Sequence, residues 1–236
     1  MTDAPPTMEA LRDSLLDAAL PHVPFDGWNE ASFRAAVADA QMDPGLARSI
    51  YPRGAVDLAL AFHERGDAAM LERLEKEDLS HLRFRDRIAA AIRFRLEAVE
   101  DKELVRRGST LFAQPQHAAD GAKAVWGTAD RIWTALGDTS DDVNWYTKRM
   151  TLSGVYGSTV LYWLGDDSPG NEKTWEFLDR RIDDVMQFEK VKGQLQANPL
   201  LKPLLAAPNW ALGKVRAPSR TRRDDLPGSL TEDHQE

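Results

Sequence analysis

Apolar residues recur every three or four positions along almost the whole chain, and no run alternates apolar with polar positions between turn signals. That period belongs to the helix, so the sequence predicts an all-α fold. Helices are predicted near residues 7–21, 29–39, 44–50, 54–66, 80–106, 117–136, 143–164 and 171–190, joined mostly by short connections. Two stripes read as faces turned toward a core. One holds Phe84, Ile88, Ile92, Leu96 and Val99; the other holds Ala122, Val125, Trp126, Ala129, Ile132, Trp133 and Leu136. There is no internal repeat.

The 236 residues are ample for one core and do not demand two domains. A net charge of -8 and a pI near 5.2 disfavour general attraction to nucleic acid or anionic membranes, so any such binding must come from a local patch. Without cysteine, the chain has no disulfide, thiolate metal site or cysteine nucleophile. The first twenty residues offer Arg12 as their one cation against Asp3, Glu9, Asp13 and Asp17, and lack an apolar signal core. Neither a secretory signal nor a transit peptide is expected there.

Candidate chemistry is sparse. His22, His63, His81, His117 and His234 form no i+3 or i+4 pair, and the nearest ligand-like spacing, Asp78 with His81, lies on a charged helix. No nucleophile elbow, phosphate loop or dinucleotide fingerprint occurs. No enzyme, metal or cofactor is expected.

In the N-terminal part, Phe33, Ala36, Val37 and Ala40 give a short helix, Met42-Asp43-Pro44-Gly45 a turn, and Leu46–Ile50 a second helix. The order resembles the helix-turn-helix of TetR-type regulators. A DNA reader needs cations around its recognition helix, but residues 1–60 hold only Arg12, Arg34, Arg48 and Arg53 against nine acids. The unit is therefore read as degenerate and without nucleic-acid partners. The alternative is a ligand-responsive TetR-type repressor.

In the helix predicted at 143–164, Trp145, Arg149, Leu152, Tyr156, Thr159 and Trp163 share one side, while Gly154, Gly157, Ser158 and Leu161 share another. Each glycine costs roughly 1 kcal/mol of helix propensity against alanine, so a close neighbour or a lipid chain is expected along that stripe. The next helix carries Trp175, Leu178, Ile182 and Val185, with Asn171 as its expected N-cap. That second stripe fits either intrachain core or an interface.

The block Asp142-Val143-Asn144-Trp145-Tyr146-Thr147-Lys148-Arg149 follows the capping cluster Gly137-Asp138-Thr139-Ser140-Asp141, and Thr174-Trp175-Glu176-Phe177-Leu178-Asp179-Arg180-Arg181-Ile182-Asp183-Asp184-Val185-Met186 lies downstream. These blocks resemble the TetR-like lipid-binding accessory proteins of ubiquinone biosynthesis, of alphaproteobacterial and mitochondrial type. The likeness extends more loosely over residues 10–190. It implies a TetR-like helical bundle, a non-enzymatic dimer that binds an isoprenoid quinone or another polyisoprenoid lipid and presents it to a ubiquinone-pathway hydroxylase. Trp126, Ile132, Trp133 and Tyr156 are the candidate lipid-binding residues. Trp145, Tyr146 and Arg149 are the candidate partner contacts, although one of the aromatic pair also fits packing onto the preceding helix. Gly154, Gly157, Trp175 and Ile182 are the candidate dimer interface.

From 198 to 223 there are six cations and no acid, with leucines and Trp210 between prolines. The resemblance implies membrane contact there, through Leu204, Leu205, Trp210 and Lys214, although Pro199, Pro203 and Pro208 break up any long helix. A leucine-rich strap packed on the domain is the other reading. The expected organisation is a helix-turn-helix subdomain (1–53), a lipid-binding and dimerisation bundle (54–190), the basic segment (191–223) and a disordered tail (224–236). The expected location is cytoplasmic, peripheral to the inner membrane.

Overall fold

The computed structural model describes residues 6–197, with side chains to residue 187, and residues 216–218. Leu204, Leu205, Trp210 and Lys214, the expected membrane contacts, lie outside the described residues. Among the described residues there is no strand. The helices are α1 (Met8–Ala19), α2 (Val23–Asp26), α3 (Glu30–Asp39), α4 (Pro44–Ile50), α5 (Ala55–Lys76), α6 (Phe84–Glu97), α7 (Lys102–Phe112), α8 (Ala118–Ala135), α9 (Val143–Leu164) and α10 (Glu172–Ala197). None of those described is long and apolar enough to cross a membrane.

Local chemistry sets most helix starts. Thr7, Asn29, Asp43, Asp101 and Asp142 each accept a hydrogen bond from a first-turn amide, and Asn29 closes a reciprocal box with Ser32. The cap at Asp101 also explains a departure from expectation. The apolar period runs from 80 to 106, yet the chain stops at Glu97 and restarts at Lys102, because the Asp101 carboxylate satisfies the amide of Glu103. Conversely, α5 continues to Lys76 instead of ending at residue 66. Gly66 is a notch, not a stop: a Cβ there would lie 2.4 Å from the Arg95 guanidinium.

The start of α10 also differs from expectation. Asp166 Oδ2 accepts the Thr174 amide at 2.9 Å and Ser168 Oγ accepts the Lys173 amide at 3.2 Å. Asn171, the expected cap, sits at φ 57°, and its side-chain oxygen accepts a hydrogen bond from Lys102 Nζ at 2.7 Å. The same ammonium donates to the carbonyls of Trp163 and Asp166, at the C-terminal end of α9 where a cation is favoured.

Two apolar clusters meet along α5. The first joins α1, α3, α4 and α7 around Leu15, Phe33, Ile50, Tyr51, Leu58 and Leu111. The second joins α6, α8, α9 and α10 around Met70, Ile92, Leu96, Ile132, Leu152 and Ile182. Ile92, Leu96, Ala129 and Ile132 take the inward positions that their stripes predict, whereas Phe84 and Ala122 are exposed.

One buried ion cluster ties the second group of helices to α5. Asp67 on α5 is fully buried and accepts from Arg95 Nε on α6 at 2.7 Å, from Thr128 Oγ1 on α8 at 2.9 Å and from Arg131 Nη1 at 3.0 Å. Removing one partner of such a pair strands the other in the interior. Asp67→Ala is expected to lose about 3–5 kcal/mol of unfolding free energy in urea titration. A loss below about 1 kcal/mol, the size of an exposed pair, would show that Arg95 does not depend on Asp67.

Candidate functional site

A cavity of about 640 Å³ lies where the two clusters meet. Its wall takes Ala59, Phe62 and His63 from α5, Val105 and Phe112 from α7, Val125 and Trp126 from α8, and Tyr156 and Val160 from α9. Small residues make the room. A Cβ at Gly154 or Gly157 would meet no heavy atom within 4 Å, so the stripe on α9 borders open space. Met150 and Leu161, spaced with those glycines along α9, also line the cavity while being 66% and 67% exposed. The mouth therefore opens along α9, rimmed by apolar side chains.

The wall carries one polar island, contiguous with the ion cluster. His63 Nε2 lies 2.8 Å from Thr128 Oγ1 and 3.2 Å from the Ala124 carbonyl. Thr128 gives its proton to the Asp67 carboxylate, and a carbonyl can only accept, so Nε2 carries the proton and Nδ1 is the acceptor. Burial, helped by the Arg95 charge, lowers the His63 pKa to about 4 and keeps the ring neutral near pH 7. Tyr156 is buried beside this island, and burial raises its pKa.

The sequence-predicted lipid residues divide. Trp126 and Tyr156 line the cavity. Ile132 does not: it is fully buried in the second cluster. Trp133 turns away into a smaller cleft of about 220 Å³ with Phe84, Thr151 and Val185, and its indole donates to the Lys148 carbonyl at 3.1 Å. Neighbouring helical positions point about 100° apart, which is why one stripe serves core, cavity and cleft at once.

At the start of α9, Trp145 and Tyr146 are half-buried and meet edge to face, with ring centres 4.8 Å apart. Trp145 also lies against Trp126 at 5.9 Å and over the Arg149 guanidinium at 4.0 Å. Arg149, expected at the partner surface, is fully buried. Its Nε bonds Asp130 at 2.5 Å and its Nη1 bonds Asp138 at 2.9 Å, so the residue acts as an internal strut. Burial alone would raise the Asp138 carboxyl, but hydrogen bonds from Lys148 and Arg149 outweigh it and hold the group well below the usual carboxylate range. Residues 216–218 lie beside the pair. The Ala217 amide donates to the Asp141 carbonyl at 2.9 Å, and the Tyr146 hydroxyl donates to the Arg216 carbonyl at 3.3 Å.

Of the expected dimer residues, Gly154 and Gly157 face the cavity mouth. Trp175 is half-buried, with its indole donating to the Gly170 carbonyl at 2.7 Å, and Ile182 is buried in the chain's own core. Sequence reasoning missed the stacked Tyr162 and Phe177 rings, 4.4 Å apart, that join α9 to α10 at the surface. Among the described residues, no three carboxylate or histidine side chains gather as a metal site.

Comparison with known proteins matches residues 118–189, which carry α8, α9 and most of α10, to the COQ9 family model. Through this segment the chain is similar to the COQ9 family. It is 34% identical over 194 residues to the mitochondrial ubiquinone biosynthesis protein COQ9 of Drosophila melanogaster, covering 80% of this chain and 59% of that protein. It is 31% identical to COQ9-A of Xenopus laevis, covering 75% and 58%, and 28% identical to COQ9 of Homo sapiens, covering 80% and 62%. The chain thus spans about three fifths of the length of these curated relatives. Among solved structures it is similar to the TetR transcriptional regulator from Nitrosomonas europaea, with a TM-score of 0.62 at 20% identity over 75% of this chain and 98% of that one. That likeness establishes the fold, a TetR-like all-α bundle.

The relatives are named as mitochondrial proteins, which overturns the cytoplasmic expectation. The composition of the first twenty residues carried that expectation. It does not bear on location when the chain spans only part of its relatives' length.

The neutral His63 has a measurable signature. Unfolding returns its pKa from about 4 to 6.5, so between those values the unfolded chain binds more protons and stability falls as the pH drops. The loss should reach about 3 kcal/mol by pH 4. Urea titrations across that range should show this component in the native chain and not in His63→Phe. The same pH dependence in both proteins would show that the folded chain does not hold the imidazole neutral.

Proposed function

We propose that the chain is a non-enzymatic accessory protein of ubiquinone biosynthesis that covers an isoprenoid quinone intermediate, or another polyisoprenoid lipid, and presents it to a ring hydroxylase. The observation that carries this reading is the 640 Å³ apolar cavity whose mouth opens along α9, inside the family-matched segment. Its volume falls in the range of small-molecule sites. An isoprenoid tail gains free energy by leaving water for such a lining, and the exposed Met150 and Leu161 give it an apolar path inward.

The repressor reading draws on the α3–α4 unit, and the electrostatics there oppose it. Arg48, on the helix that would meet DNA, bonds Glu30 and stacks on Phe33 at 4.5 Å. Arg53 is held by Asp57 and Asp120. Cations already neutralised within the chain release no counterions from a duplex.

Organic extraction of the purified chain followed by mass spectrometry should recover a quinone-type or other isoprenoid lipid. Gel shifts on its own upstream DNA should be blank at about 0.15 M salt. An extract with no such lipid, together with tight DNA binding, would reverse the choice between the two readings. The reading includes a homodimer across the exposed face of α9 and α10, and a monomer mass in light scattering at micromolar concentration would remove that part.

The hydroxylase is assigned to the Trp145/Tyr146 patch, which sits on the rigid base of Arg149, Asp130 and Asp138. Trp145 also covers the Arg149 guanidinium, so its truncation mixes binding with folding. Tyr146→Ala is the cleaner change. It should weaken hydroxylase capture by about thirtyfold or more, the scale of a hot-spot aromatic, while the melting temperature shifts little. Native-like capture by this variant would move the docking site elsewhere.

A further inference from the structure

We propose that the polar island of the cavity wall is a subsite for the ring hydroxyl of a phenol-class head group, which donates a hydrogen bond to His63 Nδ1. The proposal rests on the lipid-holding reading of the cavity. It adds the chemical class and state of the head group that the cavity holds.

Three features point to a hydroxyl donor. His63 lines the cavity with Nε2 committed to Thr128 and the Ala124 carbonyl, and no hydrogen bond from Nδ1 is made within the described residues. The ring therefore offers one acceptor to whatever occupies the space. The remaining polar groups of the island are engaged with one another: Asp67 accepts from Arg95, Thr128 and Arg131, and Arg95 Nη2 donates to the His63 carbonyl. A carboxylate or phosphate thus finds the nearest buried guanidinium already neutralised. Finally, Ser153 Oγ is buried on the cavity lining without a hydrogen-bond partner, one turn before Tyr156 on α9. Buried hydroxyls are normally satisfied, so this one is available to a polar atom of a bound molecule.

The acceptor also discriminates between oxidation states. A quinone carbonyl has lone pairs only and would face the Nδ1 lone pair, whereas a phenol or hydroquinone hydroxyl brings a proton. Phe62, Trp126 and Tyr156 give the neighbouring wall its aromatic surface, which suits a flat ring over an aliphatic alcohol. The neutral form of His63 keeps the acceptor available at physiological pH.

The test compares 3-pentadecylphenol with its methyl ether, two probes with the same apolar body that differ in one donor, by calorimetric titration of the full chain. The native chain should bind the phenol about tenfold more tightly, the scale of one hydrogen bond in a dry site. His63→Phe should abolish the preference and leave ether affinity within about twofold. Equal binding of both probes by the native chain, or a preference that survives in His63→Phe, overturns the subsite. Should that variant fail to fold, nitrogen NMR of the native chain decides. The His63 Nδ1 resonance must move with the phenol and stay with the ether, and no such difference overturns the subsite as well. Ether binding without preference removes the subsite alone, while binding of neither probe removes the lipid-holding reading with it.

Discussion

A cavity has no atoms inside it to hold its walls apart, and in this chain the buried Asp67 carboxylate does much of that work. Apolar packing sets spacing only where surfaces touch, because dispersion falls away over fractions of an ångström. Beside the hollow between α5, α7, α8 and α9, directional bonds take over. Asp67 receives Arg95 from α6 and Thr128 and Arg131 from α8, at distances between 2.7 and 3.0 Å. Gly66 makes the arrangement possible, since any side chain there would collide with the guanidinium. Burying a carboxylate this deeply is unfavourable unless every lone pair is used, and the surrounding donors use them.

The second ion cluster plays the matching part at the start of α9. Arg149 reaches back to Asp130 on α8 and Asp138 in the connecting turn, and Lys148 shares Asp138. Trp145 lies on the Arg149 guanidinium and against Trp126, which is also a cavity wall residue. The aromatic pair and the cavity thus share one rigid seam, the α8–α9 contact. Under the proposed function this joins the surface that docks a hydroxylase to the chamber that holds its substrate, and a preorganised patch loses less entropy on binding.

What the sequence made legible follows from what local chemistry controls. The helices expected at 29–39 and 143–164 begin within a residue of those bounds, with Asn29 and Asp142 as their caps, and Ile92, Leu96 and Ile132 point inward as their period requires. Features set by distant partners stayed hidden. Gly66 looks like a helix stop until Arg95 is known to lie across it. A search of the histidines for metal spacing passes over His63, whose role is fixed by Thr128, 65 positions away. Arg149 reads as a surface cation beside two aromatics, because nothing in its neighbourhood announces that Asp130 and Asp138 will close over it. The α9 glycines were legible as an invitation to close approach. The sequence could not say that the space beside them is open.

The α3–α4 unit has a packing role in this chain. Phe33 and Ala36 of α3 and Ala47 and Ile50 of α4 are buried in the first cluster together with Leu58 and Ala59 of α5. Ala59 also lines the cavity, and Trp28, just before α3, stacks on Phe62 at 5.7 Å and reaches the same wall. Removing the unit would therefore expose the N-terminal half of α5 and open the chamber from behind. Its surface faces no such constraint, and there Arg48 and Arg53 have been drawn into ion pairs within the chain. The interior of the element is held by the cavity it supports, while on its exterior the cations Arg48 and Arg53 are spent on carboxylates of the same chain.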